Sequence, residues 1–105
     1  MAALPNHVRK SVEELIQQLN ANHIRIQKAY IFGSYAKGKQ TQWSDIDLAL
    51  VSEEFEGNFY YDRQKIIPYL IKAKHYIEAH PFSPTDFTHD NPFVEEILET
   101  GMRVV

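Results

Sequence analysis

The sequence predicts one small α/β domain, a mixed β-sheet flanked by helices, and three observations carry that expectation. The chain has 105 residues, the length of a single domain spanning residues 1–105. Segments with helical apolar spacing alternate with short runs of Ile, Leu, Val and Ala that read as buried strands. Apolar residues make up 44% and charged residues 24%, which is enough to fill one core and too apolar for a disordered chain.

Val8, Val12, Leu15, Ile16 and Leu19 recur at offsets of three and four and predict a first helix from Pro5 or Asn6 to Asn20. Ala29-Tyr30-Ile31-Phe32, stopped by Gly33, predicts a buried strand. Gly33 to Ser44 is a polar loop with room for one helical turn. Ile46 to Val51 predicts a second strand, with Asp45 at its opening, and Glu53 to Asn58 a polar connector. Apolar spacing over Phe59 to Lys74 suits a helix, but the internal Pro68 predicts a kink or two shorter helices. Tyr76 to Phe82 reads as a third strand, ended by Pro81 and Pro84. Asp90 or Asn91 caps a last helix that has Pro92 in its first turn and stops at Gly101. Met102 to Val105 is read as a terminal strand.

Charge and composition narrow the function. Fourteen acidic residues against eleven Lys and Arg give a net charge of −3, and general nucleic-acid binding through phosphate contacts calls for the opposite sign. Without cysteine there is no disulfide scaffold, thiolate zinc site or thiol nucleophile, which fits a reducing compartment. Met1 to Lys10 has no apolar signal region, and no apolar run approaches the ~18 residues of a membrane span, so a cytoplasmic domain away from membranes is expected. The five histidines lack the spacing of a metal site, although His80 shares a strand face with Glu78. Phe59, Tyr60, Tyr61 and Trp43 are read as core or partner contacts, and Glu53, Glu54 and Glu56 as a solvated connector.

The chemistry concentrates in YIFGSYAKGKQTQWSDIDLALV, residues 30–51. Strand alternation puts Asp45 and Asp47 on one face, ~6–7 Å apart at the backbone, where their carboxylates can converge on one divalent ion or clamp two. Oxygen-only donors favour Mg²⁺ or Mn²⁺. Asp is depleted in strands and like charges on one face repel, so two acids at the head of a Leu/Val strand run against local preference. Upstream, Gly33 lets the backbone approach a ligand closely, and the local N–H groups with the Ser34 hydroxyl suit phosphate oxygens. Lys37 and Lys39 add positive charge. The loop nearly spells a P-loop, but Gln40 stands where Ser or Thr would hold Mg²⁺, and a strand follows where a helix should start.

Gly33-Ser34, ten residues, then Asp45-Ile46-Asp47 resembles the signature of the polymerase-beta-like nucleotidyltransferase superfamily. Chain length and the late His80-Pro81-Phe82 segment are similar to its minimal nucleotidyltransferase branch, which includes antitoxin subunits paired with HEPN-domain toxins. The resemblance implies a single nucleotidyltransferase-fold domain. It implies that Gly33, Ser34, Lys37 and Ser44 bind a nucleoside triphosphate, with ATP the expected one, and that Asp45 and Asp47 hold two Mg²⁺ ions or Mn²⁺. The family's third carboxylate, metal ligand or catalytic base, would be Glu78, with Asp86 as rival. Glu replaces the commoner Asp at that place, and Lys37 stands where many relatives have Arg, losing bidentate geometry. The implied reaction moves a nucleoside monophosphate, AMP from ATP, to a hydroxyl of a macromolecule. So short a chain leaves little to enclose an acceptor, hence an expected protein partner: a HEPN-type subunit or a second copy. The alternatives are a catalytically degenerate nucleotide- or partner-binding domain, and a small-molecule nucleotidyltransferase.

Overall fold

The computed structural model describes residues 4–73 and 75–105. Met1–Ala3, part of the N-terminal stretch read above, and Lys74, the expected end of the third helix, lie outside the described residues. The elements run α1 (Asn6–Ala21), β1 (Lys28–Phe32), α2 (Ser34–Lys37), β2 (Ile46–Val51), α3 (Phe59–Ile71), β3 (Ile77–Phe82), α4 (Pro92–Thr100) and β4 (Met102–Arg103). The four strands form one mixed sheet in the order β3-β2-β1-β4. β1 runs antiparallel to β2 and β4, whereas β2 and β3 are parallel. This is the small helix-flanked mixed sheet that the alternation of patterns predicts.

Each sheet face owes its cover to period-two alternation meeting a helical stripe. Ala29, Ile31, Ile46, Leu48, Leu50, Ile77 and Ala79 form one face, packed on Val8, Val12, Leu15, Ile16 and Leu19 of α1 and on Ile66 of α3. Ala49 and Val51 on the other face pack against Phe87, Val94 and Ile97, so that α4 covers only part of it. The uncovered end of that second face carries Asp47 and Glu78.

Three expectations need correction. α3 is one helix with Pro68 inside it rather than two pieces. Gln64, whose carbonyl Pro68 leaves without its helical donor, is exposed, so water can take the donor's place. Pro81 does not end β3 but pairs with Leu50 within it. The Ile46 N–H donates to the Tyr76 carbonyl and the Ser52 N–H to the Phe82 carbonyl, so even-numbered β3 residues bond to β2. Pro81 therefore stands at an outward-facing position of an edge strand, where its missing N–H breaks no bond. Finally, of the two readings of Phe59, Tyr60 and Tyr61, core or partner contacts, the core one fails: they are exposed, because α3 buries Asp62 and Ile66 instead. Asp62, fully buried, accepts from the Glu56 and Gly57 N–H groups at 2.8 and 2.9 Å and ties down the β2–α3 connector.

No helix among the described residues is long and apolar enough to cross a membrane. Leu48, fully buried in the central strand, is a test of the core. Leu48→Ala is expected to lower unfolding stability by about 2–5 kcal/mol in urea titration, the range for a buried Leu truncation.

Candidate active site

Register builds the site. Phe32 is paired with Asp47, and Asp47 with Glu78, so the three side chains stand in one row across β1, β2 and β3. Ala49 and His80 form the next row. Asp45 is exposed, one residue ahead of β2, and alternation gives it the face of Asp47.

Gly33 leads out of β1 with φ +73° and ψ −145°, a backbone conformation close to one that is essentially glycine-only. A side-chain carbon there would run into the Asp47 carboxylate, with Asp47 Cγ only 3.2 Å away. The backbone thus passes directly beside the carboxylate, and the single turn of α2 starts at Ser34. Buried Tyr35 anchors that turn in the core, and Gly38 closes it in the left-handed region. Lys37 extends from its end, and its ammonium lies 3.5 Å from Glu96 of α4, both side chains exposed.

Ser44 shapes the approach to Asp45. Its hydroxyl accepts the Thr41 N–H at 2.9 Å while its own N–H donates to the Thr41 carbonyl. This local turn launches the chain into β2, and leaves Trp43 83% exposed, a rim residue and not core.

Glu78 is held from two sides. The Tyr76 hydroxyl donates to its Oε2 at 3.1 Å, and an Arg63 guanidinium nitrogen lies 3.8 Å from Oε1. Asp86, the rival carboxylate, is at the other end of β3, close beside Gly57 and Ser83. The structure therefore brings Glu78, not Asp86, next to Asp47. His80 sits among Phe32, Phe59 and Phe93, with ring centroids 5.2, 6.1 and 5.6 Å away. Arg63 and Tyr76 were not picked out by sequence reasoning. Tyr76 had a signal, its shared strand face with Glu78, whereas Arg63 reaches Glu78 only because α3 folds beside β3.

The electrostatics follow from this crowding. Burial raises the proton affinity of Asp47, His80 opposes the rise, and the charges of Asp45 and Glu78 add to it. His80 is pushed down, chiefly by burial, against the pull of Glu78 and Asp47. Tyr76 is raised by its hydrogen bond to Glu78, then by that residue's charge, with Asp45 a smaller contributor. Among the described residues no group of three or more His, Cys, Asp or Glu side chains is gathered tightly enough to hold a metal as it stands. The donor chemistry nonetheless fits a hard cation: all the carboxylates are oxygen donors, and a cation would relieve the repulsion that Asp47 feels from Asp45 and Glu78.

Fold and carboxylate row together define a nucleotidyltransferase-type domain. Residues 9–104 match the nucleotidyltransferase domain family, and the chain belongs to it. A Methanocaldococcus jannaschii protein provisionally named a protein adenylyltransferase is 40% identical over 45 residues, covering 42% of this chain and 45% of the relative. The chain thus matches less than half of that relative's length. Two solved structures share the fold at 22% identity. One, provisionally named a nucleotidyltransferase, from Sulfolobus solfataricus, has a TM-score of 0.58 over 74% of this chain and 68% of its own. The other, a toxin-antitoxin structure with AMP-PNP, has a TM-score of 0.63 over 90% of this chain and 70% of its own.

Two outcomes check the geometry. Gly33→Ala is expected to cost about 1–3 kcal/mol in chemical denaturation from backbone strain alone, and to displace Asp47 as well. Asp47→Asn should melt at or above the wild-type temperature at neutral pH, since ionised Asp47 works against folding. The raised carboxyl binds its proton more tightly folded than unfolded, so wild-type stability falls as pH rises from the ordinary carboxylate value through the raised one. The variant's advantage should therefore close in acid, below a pH of about 4. A variant less stable than wild type throughout would contradict this account.

Proposed function

We propose that this chain is a Mg²⁺-dependent nucleotidyltransferase that moves AMP from ATP to a hydroxyl of a macromolecular acceptor. The observation that carries the reading is the place of Asp47, against the Gly33 backbone on one side and in register with Glu78 on the other. A phosphate chain lying along Gly33 and Ser34 then has its reacting end beside the carboxylates.

The roles follow the chemistry. The backbone around Gly33 and the Ser34 hydroxyl bind phosphate oxygens, and Ser44 keeps Asp45 in place at the entrance. Lys37 turns from Glu96 to phosphate at little cost, because an exposed ion pair is worth only ~0–1 kcal/mol. Asp45 and Asp47 would hold the metal, two Mg²⁺ ions or Mn²⁺ in its place. When bound, the metal supplies positive charge against the triphosphate and lowers the pKa of the acceptor hydroxyl. Glu78 takes the acceptor's proton; that it already accepts a hydroxyl, from Tyr76, supports this role over metal binding.

The acceptor comes from outside. Asp47 and Glu78 are only half-buried, and Phe59, Tyr60 and Tyr61 at the start of α3 and Trp43 before β2 are exposed. Exposed aromatics of this kind suit a protein partner. The toxin-antitoxin neighbour supports reading this chain as an antitoxin subunit. That its target is a HEPN-type toxin, in the cytoplasm, rests on the sequence resemblance, with a homo-oligomer as the other assembly.

The test is transfer of label from α-labelled ATP into native lysate with Mg²⁺. A labelled macromolecule is expected with the wild-type chain and none with Asp45→Asn or Asp47→Asn. Full Mg²⁺-dependent activity in either variant would overturn the metal assignment.

A further inference from the structure

The hydroxyl on Glu78 belongs to a tyrosine that is itself a chemically competent acceptor. Tyr76 is 61% exposed, so its ring is not committed to the core. Its hydroxyl donates to Glu78 Oε2 at 3.1 Å, and Glu78 is the register partner of Asp47. Residues 76, 78 and 80 share one strand face, so the phenol reaches toward the carboxylate row rather than away from it. Tyr60 and Tyr61 are as exposed but stand at the start of α3. Tyr35 is buried beneath the α2 turn.

We infer that Tyr76 is a self-modification site, where the chain attaches to its own phenolic oxygen the nucleoside monophosphate of a bound nucleoside triphosphate. This rests on the nucleotidyl-transfer reading above and adds an acceptor within the same chain. The bond formed joins Tyr76 Oη to the α-phosphorus. The bond broken joins the α-phosphorus to the oxygen bridging to the β-phosphate, and pyrophosphate leaves with that electron pair. The phenolic proton passes to Glu78 Oε2, the atom it already faces.

The product has a consequence for turnover. A phosphodiester on Tyr76 carries a negative charge beside Glu78, Asp45 and Asp47 and occupies the space an external hydroxyl needs. A modified chain is thus a restrained one, and Tyr76 competes with any outside acceptor for the same base.

The experiment incubates the purified full chain with ATP and Mg²⁺, reads the intact mass, and maps any adduct by peptide fragmentation. A parallel arm adds native lysate with α-labelled ATP. An adenylyl adduct on Tyr76 is expected, absent in Tyr76→Phe and Asp47→Asn and retained in Tyr61→Phe. Glu78→Gln should slow its formation about 100- to 10,000-fold, the range for removing a general base. Label in a lysate macromolecule with no adduct on Tyr76 would overturn the self-modification while sparing transfer itself. An adduct elsewhere on the chain that survives Tyr76→Phe would also overturn it. No label on any molecule would overturn the transfer reading, and this inference with it.

Discussion

The Asp47 carboxylate lies so close to the Gly33 backbone that a side-chain carbon at position 33 has no room. That approach joins the two halves of the site, the loop that leaves β1 and the strand that carries the acids. It demands a glycine for space and again for conformation, since φ there is +73°. It also accounts for the charge on Asp47 being poorly solvated, which raises its proton affinity. A carboxylate confined in this way is costly to the fold, and on the proposed reading a bound cation would offset that cost.

Around this contact the rest of the molecule acts as a frame. β1 and β2 hold Phe32 and Asp47 in register, and the parallel pairing of β2 and β3 delivers Glu78 to the same row. α1 and α3 cover the core face of β1, β2 and β3, whereas on the other face, partly covered by α4, Asp47 and Glu78 remain half-buried. Asp62 stiffens the connector that leads from β2 to α3, and α3 in turn carries the Arg63 that steadies Glu78. Helix α3 thus serves both sides of the sheet, packing Ile66 into the core face and reaching Glu78 through Arg63.

Much of this was legible in the residues. The stripe of Val8, Val12, Leu15, Ile16 and Leu19 has a single periodic reading, and the Gly33-Ser34 to Asp45-Ile46-Asp47 spacing pointed to two strand ends that the fold brings side by side. What escaped depended on tertiary placement. Pro68 reads as a kink or a break, and the break does not occur because a proline is tolerated where the orphaned carbonyl lies on an exposed face. Phe59, Tyr60 and Tyr61 read as core or partner contacts, and only the fold decides against core, because α3 turns Asp62 and Ile66 inward instead. The choice between Glu78 and Asp86 is a matter of strand register, which local pattern does not encode, and Arg63 meets Glu78 only through the packing of α3 beside β3.

Pro81 has an effect on how the molecule can meet others. Strand β3 forms an edge of the sheet, and one of its outward backbone positions has no hydrogen to offer. An incoming strand would find its ladder interrupted within a few residues of the carboxylates, a common way for proteins to discourage runaway stacking. Open-ended polymerisation along this edge is therefore disfavoured. Recognition on this side falls to individual side chains, so partner choice can be retuned one substitution at a time without touching the backbone scaffold.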